Sequence, residues 1–264
     1  LTETKQGSQY TDELHAISNL EPLPAGPAAE EIERYLSWQY PGRNLAGIPA
    51  KLSVSELKNR YRQHTQDTLG QDFFSHFREF RRRPRFQQEQ KGLLAAEKGS
   101  ALHLVMRYLD LQRVNTLEEI IAQLDEMVAM ERLTAIQREA VEPQQIYMFF
   151  KQPIGQRLLA SPLIRREVPF TLALGLQELF PDIEEETEET IILQGTLDCL
   201  FEEGEGFILL DYKSDLITRE SVAAFMERYR LQLDLYARAV ETILRVPVRE
   251  KILYSFQLGE AFSL

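Results

Sequence analysis

The stretch GTLDCLFEEGEGFILLDYKSD, Gly195 to Asp215, decides the fold. Its apolar residues form two runs separated by the turn-like EEGEG. A two-residue turn at Gly204-Glu205 puts glycine at the first central position, as a type II′ hairpin prefers. In that register Glu203 faces Gly206, and Asp198 falls opposite Asp211. Side chains opposed in this way lie about 4.5–5.5 Å apart at Cβ. Two facing carboxylates repel unless a cation lies between them. Strand alternation puts Lys213 on the same face as Asp211. The hairpin alone therefore gathers two acids and an amine.

Working outward, IRREVPFTLAL (Ile164 to Leu174) reads as a strand preceding this pair. A long helix is expected from about Glu220 to Leu244, then a final strand at Val248 to Phe256. Upstream, the spacing of Leu102, Val105, Met106 and Leu109 predicts a helix within Leu94 to Leu111. Two capping boxes, Ser53 with Glu56 and Thr116 with Glu119, open further helices. Shorter helices are expected around Gln145 to Phe150 and Gly155 to Ala160. Helices, three strands, a helix and a strand make an α/β or α+β sheet flanked by helices. Residues 1–50, broken by proline and glycine around EEIERYLSWQY, read as a tail, and residues 51–264 as the compact part.

The bulk numbers narrow the function. The 264 residues carry a net charge of −11, which argues against a general nucleic-acid coat protein. A local basic path remains available: FREFRRRPRF, Phe77 to Phe86, holds five arginines and reads equally as a phosphate-contacting surface or a solvated helix end. PDIEEETEET, Pro181 to Thr190, with six carboxylates, reads as a solvated loop. A single cysteine, Cys199, rules out an intrachain disulfide and any cysteine-based metal cluster. No apolar run is long enough to span a bilayer, so no membrane partner is expected. The first residue is Leu1 rather than methionine, which points to a piece of a longer chain or a processed product.

An oxygen-rich cluster of this kind suits Mg²⁺ or Mn²⁺. Such an ion could hold a phosphodiester oxygen and lower the pKa of a water, with Lys213 orienting that water or stabilising charge on the phosphate. On the residues alone, the charges read equally as a surface hairpin end in which Lys213 pairs with Asp211 or Asp215.

The G-x-x-D strand, the D-Y-K strand end and the Q-x-x-x-Y helix in YRLQLDLYARAV resemble the RecB-type nuclease branch of the PD-(D/E)XK superfamily. KGSALHLVMRYLD is similar to that branch's G-x-x-x-H helix, with Gly99 and His103, and REVPF to its additional acidic strand, with Glu167. KLSVSELK resembles the opening of the nuclease domain in the A-type component of AddAB-type bacterial helicase–nucleases. The likeness runs from Lys51 to the C-terminus and implies a PD-(D/E)XK, restriction-endonuclease-like core: a central mixed sheet flanked by helices, with a helical N-terminal region.

The resemblance also implies roles. Asp198 and Asp211 would be the main metal ligands, joined by the backbone carbonyl of Tyr212 and by His103. Lys213 would be the catalytic lysine, and Glu167 would support the site. Gln232 and Tyr236, four apart on one helical face, would contact the lysine and the DNA strand. Each has a plainer reading: His103 as a core histidine, Glu167 paired with Arg165 or Arg166, Tyr236 packed with Leu233 and Val240, Gln232 on a helix surface. His15, His64 and His76 match nothing. The implied activity is metal-dependent exonucleolytic hydrolysis of single-stranded DNA during repair of double-strand breaks. Its implied setting is the bacterial cytoplasm, at the nucleoid. AddB-type components carry a cysteine quartet for an iron–sulfur cluster; a lone Cys199 fits the A-type component, whose expected partner is AddB. No GxxxxGK[ST] loop occurs, so an ATP-driven helicase would lie upstream, with residues 1–50 as its tether. The alternatives are a nuclease-like module that binds DNA or a partner without cutting, and a free-standing exonuclease or a nuclease linked to another system.

Overall fold

The computed structural model describes residues 14–21, 28–39, 45, 47–66, 95–180 and 188–264, and among these the side chains of 61–66, 95 and 96 are not described. The arginine-rich stretch Phe77 to Phe86, His76, and residues 181–187 of the acidic run lie outside them, as does the side chain of His64. The chain divides into two units, Leu1–Ile48 and Pro49–Leu264. In the first, helix α1 (Ala29–Ser37) buries none of its residues.

The second unit holds a six-stranded mixed sheet flanked by helices. Its elements are β1 (Lys51–Ser53), α2 (Val54–Gln66), α3 (Ala95–Tyr108), α4 (Leu117–Ala129), α5 (Ala135–Ala140), α6 (Pro143–Lys151) and α7 (Pro153–Ala160). They continue with β2 (Ile164–Gly175), α8 (Leu176–Leu179), β3 (Thr190–Glu203), β4 (Gly206–Lys213), α9 (Val222–Leu244), β5 (Val248–Ser255) and β6 (Glu260–Ser263). No described helix is long and apolar enough to cross a membrane.

The expected hairpin forms in the expected register. Glu203 pairs with Gly206, Cys199 with Leu210, and Gly204 takes a positive φ of 63°. The capping boxes form as well: the Ser53 N–H donates to Glu56 at 2.8 Å and the Glu56 N–H to Ser53 Oγ at 3.1 Å. The Thr116–Glu119 box opens α4, and a third, Thr134 with Gln137, opens α5. Two strands are additions to the sequence reading. β1 is three residues long and runs parallel to β3. β6 turns back antiparallel on β5, so Val248–Ser255 is not the final strand.

Strand β3 organises the sheet. One edge pairs with β2 from Thr190 to Phe201, with a break at Asp198 opposite Glu167. The other edge is shared: β1 takes Ile192 to Gln194, and β4 takes Cys199 to Glu203. Residues 195–198 lie in the gap between these two partners. β4 meanwhile stays paired to β5 through Lys213, in a parallel ladder that requires the long crossover through α9.

Alternation along the strands sorts the two faces. Cys199, Phe201, Ile208, Leu210, Tyr212, Ile252 and Tyr254 join the buried side chains of α3, α4, α6 and α7 in one core. Phe149 centres its aromatic part, with edge-on contacts to Tyr212 and Tyr254. Asp211 and Lys213 alternate to the opposite side, where α9 lays down Phe225, Tyr229, Gln232, Leu233 and Tyr236.

Candidate metal and nuclease site

The site lies where β3 and β4 stop pairing. Their ladder ends at Cys199–Leu210, one step short of Asp198 and Asp211. In place of the next rung, the Tyr212 N–H donates to Asp198 Oδ2 at 2.8 Å. A backbone donor aimed at a carboxylate is a charge-assisted bond, and it fixes Asp198 against the strand carrying Asp211.

His103 arrives from α3. Its Nδ1 lies 3.2 Å from Asp198 Oδ1 and 3.8 Å from Glu167 Oε1. Ligand atoms of His103, Glu167 and Asp198 all fall within 4.8 Å of one another. Two devices hold α3 in place. A Cβ on Gly99 would come 2.8 Å from Ser214 Oγ, so glycine lets the helix approach the end of β4. At the other end, the Arg166 guanidinium donates to the carbonyls of Met106 and Leu109 at 2.9 and 2.7 Å, satisfying the last turn of the helix. Arg166 thus serves the helix, and its neighbour Glu167 turns to His103 with a positive φ of 52°. That conformation is uncommon outside glycine and costs on the order of 1–3 kcal/mol.

Asp211 stands beside this triplet rather than in it. It is fully buried, accepts from Gln232 Nε2 at 3.0 Å through Oδ1, and pairs with the Lys213 ammonium through Oδ2. Gln232 Nε2 also donates to Tyr236 Oη at 3.3 Å. The Lys213 ammonium lies 4.7 Å from the centre of the Tyr229 ring, and Tyr229 Oη donates to both oxygens of Asp215 at 3.0 Å. The plainer reading of the strand end is thus present too: Lys213 does pair with Asp211, while Asp215 is engaged by Tyr229 and Arg228.

The charges are strongly coupled. Burial pushes the Asp211 carboxyl up to about 6; the Lys213 charge opposes this and Asp198 adds to it. Burial also works against an ionised Asp198, but the bond with His103 and the charges of His103 and Lys213 outweigh it and hold its pKa below the usual value. Burial works against an imidazolium at His103, yet its bonds to Asp198 and Glu167 push its pKa up to about 10. Lys213, buried but next to Asp211 and Asp198, is held above the ordinary lysine range. Two cationic side chains, His103 and Lys213, therefore face the carboxylates of Asp198 and Asp211. One imidazole nitrogen and several carboxylate oxygens form a donor set that fits a hard divalent cation such as Mg²⁺ or Mn²⁺.

The residues that the family resemblance assigns to the site all lie in this region. His103, Glu167 and Asp198 converge, Asp211 and Lys213 pair next to them, and Gln232 and Tyr236 brace Asp211 from α9. Tyr212 contributes its N–H to Asp198 and its ring to the aromatic core. Gly195, the glycine of the G-x-x-D strand, makes room for an edge-on Phe170–Tyr236 contact: a Cβ there would meet the Phe170 ring at 2.6 Å. Sequence reasoning missed Tyr229, although its spacing to Gln232, Leu233, Tyr236 and Val240 marks it as part of one helical stripe. It also missed Arg166 and Lys58, whose partners are remote in sequence.

The PD-(D/E)XK nuclease superfamily matches residues 73–261. The chain is also similar to proteins named as the A component of an ATP-dependent helicase/nuclease. That of Pelotomaculum thermopropionicum is 44% identical over 251 residues, covering 93% of this chain and 20% of the relative. That of Acetivibrio thermocellus is 41% identical over 261 residues, covering 98% and 20%. That of Desulforamulus reducens is 39% identical over 258 residues, again covering 98% and 20%. The chain spans about a fifth of the length of these relatives. The match covers most of the chain, and the chain belongs to the PD-(D/E)XK nuclease superfamily.

Proposed function

We propose that this chain is the nuclease domain of a larger helicase–nuclease and hydrolyses phosphodiester bonds of single-stranded DNA as an exonuclease. The observation that carries the reading is the convergence of His103, Glu167 and Asp198 beside the buried Asp211–Lys213 pair. A divalent ion, Mg²⁺ or Mn²⁺, held by His103, Asp198, Asp211 and the Tyr212 carbonyl with Glu167 in support, would polarise the scissile phosphate and supply a water of lowered pKa.

The chain's own groups do the rest. The Tyr212 N–H and Gln232 Nε2 fix the two aspartates, so their geometry is set before substrate arrives. Lys213 stays protonated at neutral pH. It therefore donates to the attacking water or to the phosphate oxygens and offsets developing negative charge, rather than acting as a base. Burial, with the charges of Asp211 and Asp198, raises the Tyr236 pKa, so its hydroxyl is neutral and can donate to the DNA strand. Water attacks in line, with no covalent enzyme intermediate.

In this reading residues 1–50 tether the nuclease to an ATP-driven helicase in the same chain. The partner is an AddB-type protein, the substrate is DNA from processed double-strand breaks, and the setting is the bacterial cytoplasm at the nucleoid. The complete set Asp198, Asp211 and Lys213 disfavours a module that binds without cutting. The test is cleavage of end-labelled single-stranded DNA. Wild-type protein cuts with Mg²⁺ or Mn²⁺ and not with excess chelator, and Asp211→Ala does not cut. Metal-independent cutting, or cutting by Asp211→Ala, contradicts the reading.

A further inference from the structure

One cation near the site has no part in the roles above. Lys58, on α2, donates from Nζ to Gln232 Oε1 at 3.1 Å, across 174 positions of sequence. The same ammonium lies 4.3 Å from the centre of the Tyr229 ring, against which Lys213 also packs. Gln232 is the residue whose Nε2 donates to Asp211 Oδ1.

The two ends of a glutamine amide differ only in what they bond. Oε1 accepts and Nε2 donates. With Lys58 on Oε1, the amide cannot turn over without setting Nε2 against an ammonium and Oε1 against the Asp211 carboxylate. Lys58 thus fixes which end of Gln232 faces Asp211. Its own position is fixed by the sheet. β1 pairs with β3 up to Ser53–Gln194, next to Gly195, and the Ser53–Glu56 box starts α2 directly from that strand. Tyr229, tied to Asp215 through its hydroxyl, borders the ammonium.

We propose that Lys58 is a positioning residue for Asp211, acting through the Gln232 amide, and that the β1–α2 segment is therefore part of the site. The consequence for metal binding rests on reading Asp211 as a ligand. The consequence for Gln232 does not.

Two measurements on the whole 264-residue chain separate these. The first is the side-chain amide NMR signal of Gln232, assigned by its loss in Gln232→Ala. Lys58→Met should move it or average it towards the free-amide position, and Lys58→Arg should largely restore it. An unmoved signal in Lys58→Met overturns the proposal whether or not the protein cuts DNA. The second is a double-mutant cycle on Mn²⁺ affinity read by electron paramagnetic resonance. Lys58→Met alone should weaken binding about tenfold, at the low end for an outer-shell partner. In a Gln232→Ala background it should add almost nothing. Multiplicative losses would make Lys58 act on metal binding independently of Gln232, and a raised KM for DNA with Mn²⁺ affinity unchanged would make it a phosphate contact; either result overturns the proposal. If wild type binds no Mn²⁺, the nuclease reading fails and the NMR result alone judges Lys58.

Discussion

The Tyr212 N–H donates to Asp198 Oδ2 at 2.8 Å, where a strand ladder would otherwise have placed its next rung. This single bond joins the two strands where their ladder has ended. It pins the carboxylate of one strand to the backbone of the next and leaves Asp198 Oδ1 directed at His103. It also shows why Asp198 and Asp211 coexist at close quarters: each has its own donor.

The buried pair of Asp211 and Lys213 makes stability and activity separable. Asp211→Ala should abolish cleavage and leave an ammonium, only 12% exposed, without its nearest anion. Removing one partner of a buried pair costs about 3–5 kcal/mol. Urea unfolding should show a loss of that order for Asp211→Ala. Adding Lys213→Met should recover most of the stability and none of the activity.

Metal binding should release protons at neutral pH. The imidazole must be neutral to ligate, and in the metal-free protein the His103 pKa is raised to about 10. Mn²⁺ affinity therefore rises with pH, about tenfold per unit between about pH 7 and 9, with about one proton released per ion. Calorimetry in buffers of different ionisation enthalpy counts that proton. The same shift sets a stability trend without metal. The His103 contribution is fully present below its unfolded pKa near 6.5 and is lost as pH rises towards 10. His103→Gln should flatten both dependences.

Gly195→Ala probes the far side of the site. The added methyl would lie 2.7 Å or less from two atoms of the Phe170 ring and 3.1 Å from Tyr236. Overpacking of this kind costs about 1–3 kcal/mol. Thermal unfolding should report that loss, and cleavage should fall with it because Tyr236 is pushed away from Gln232.

Glu167 separates backbone strain from ligand chemistry. Its φ of 52° suits glycine and penalises any side chain. Glu167→Gly should be more stable than Glu167→Ala by about 1 kcal/mol. Both should lose metal affinity, read by the same Mn²⁺ titration.

Much of this is legible in the sequence because it is local. Gly204-Glu205 sets a hairpin register, alternation sets the faces, and Gln232 and Tyr236 are one helical turn apart. The rest depends on contacts that no short window contains. β1 is three residues long and finds its partner some 140 positions later, so its sequence carries almost no strand pattern. β6 is four residues of alternating exposure. Arg166 reads as a partner for Glu167 because the two are adjacent, yet adjacent strand residues point to opposite faces, and Arg166 instead closes the end of α3. The hairpin register puts Asp198 and Asp211 opposite each other. It does not say that the ladder stops one step earlier and hands Asp198 to the Tyr212 N–H.

The most direct measurement is an anomalous difference map from crystals of the chain grown with Mn²⁺. One strong peak is expected, bonded to His103 Nδ1, Asp198 and Asp211 at about 2.0–2.3 Å, with the Lys213 ammonium moved off Asp211 Oδ2 and still nearby. A peak bound elsewhere, or Asp211 still paired to Lys213 beneath an ion held only by surface acids, would contradict that assignment.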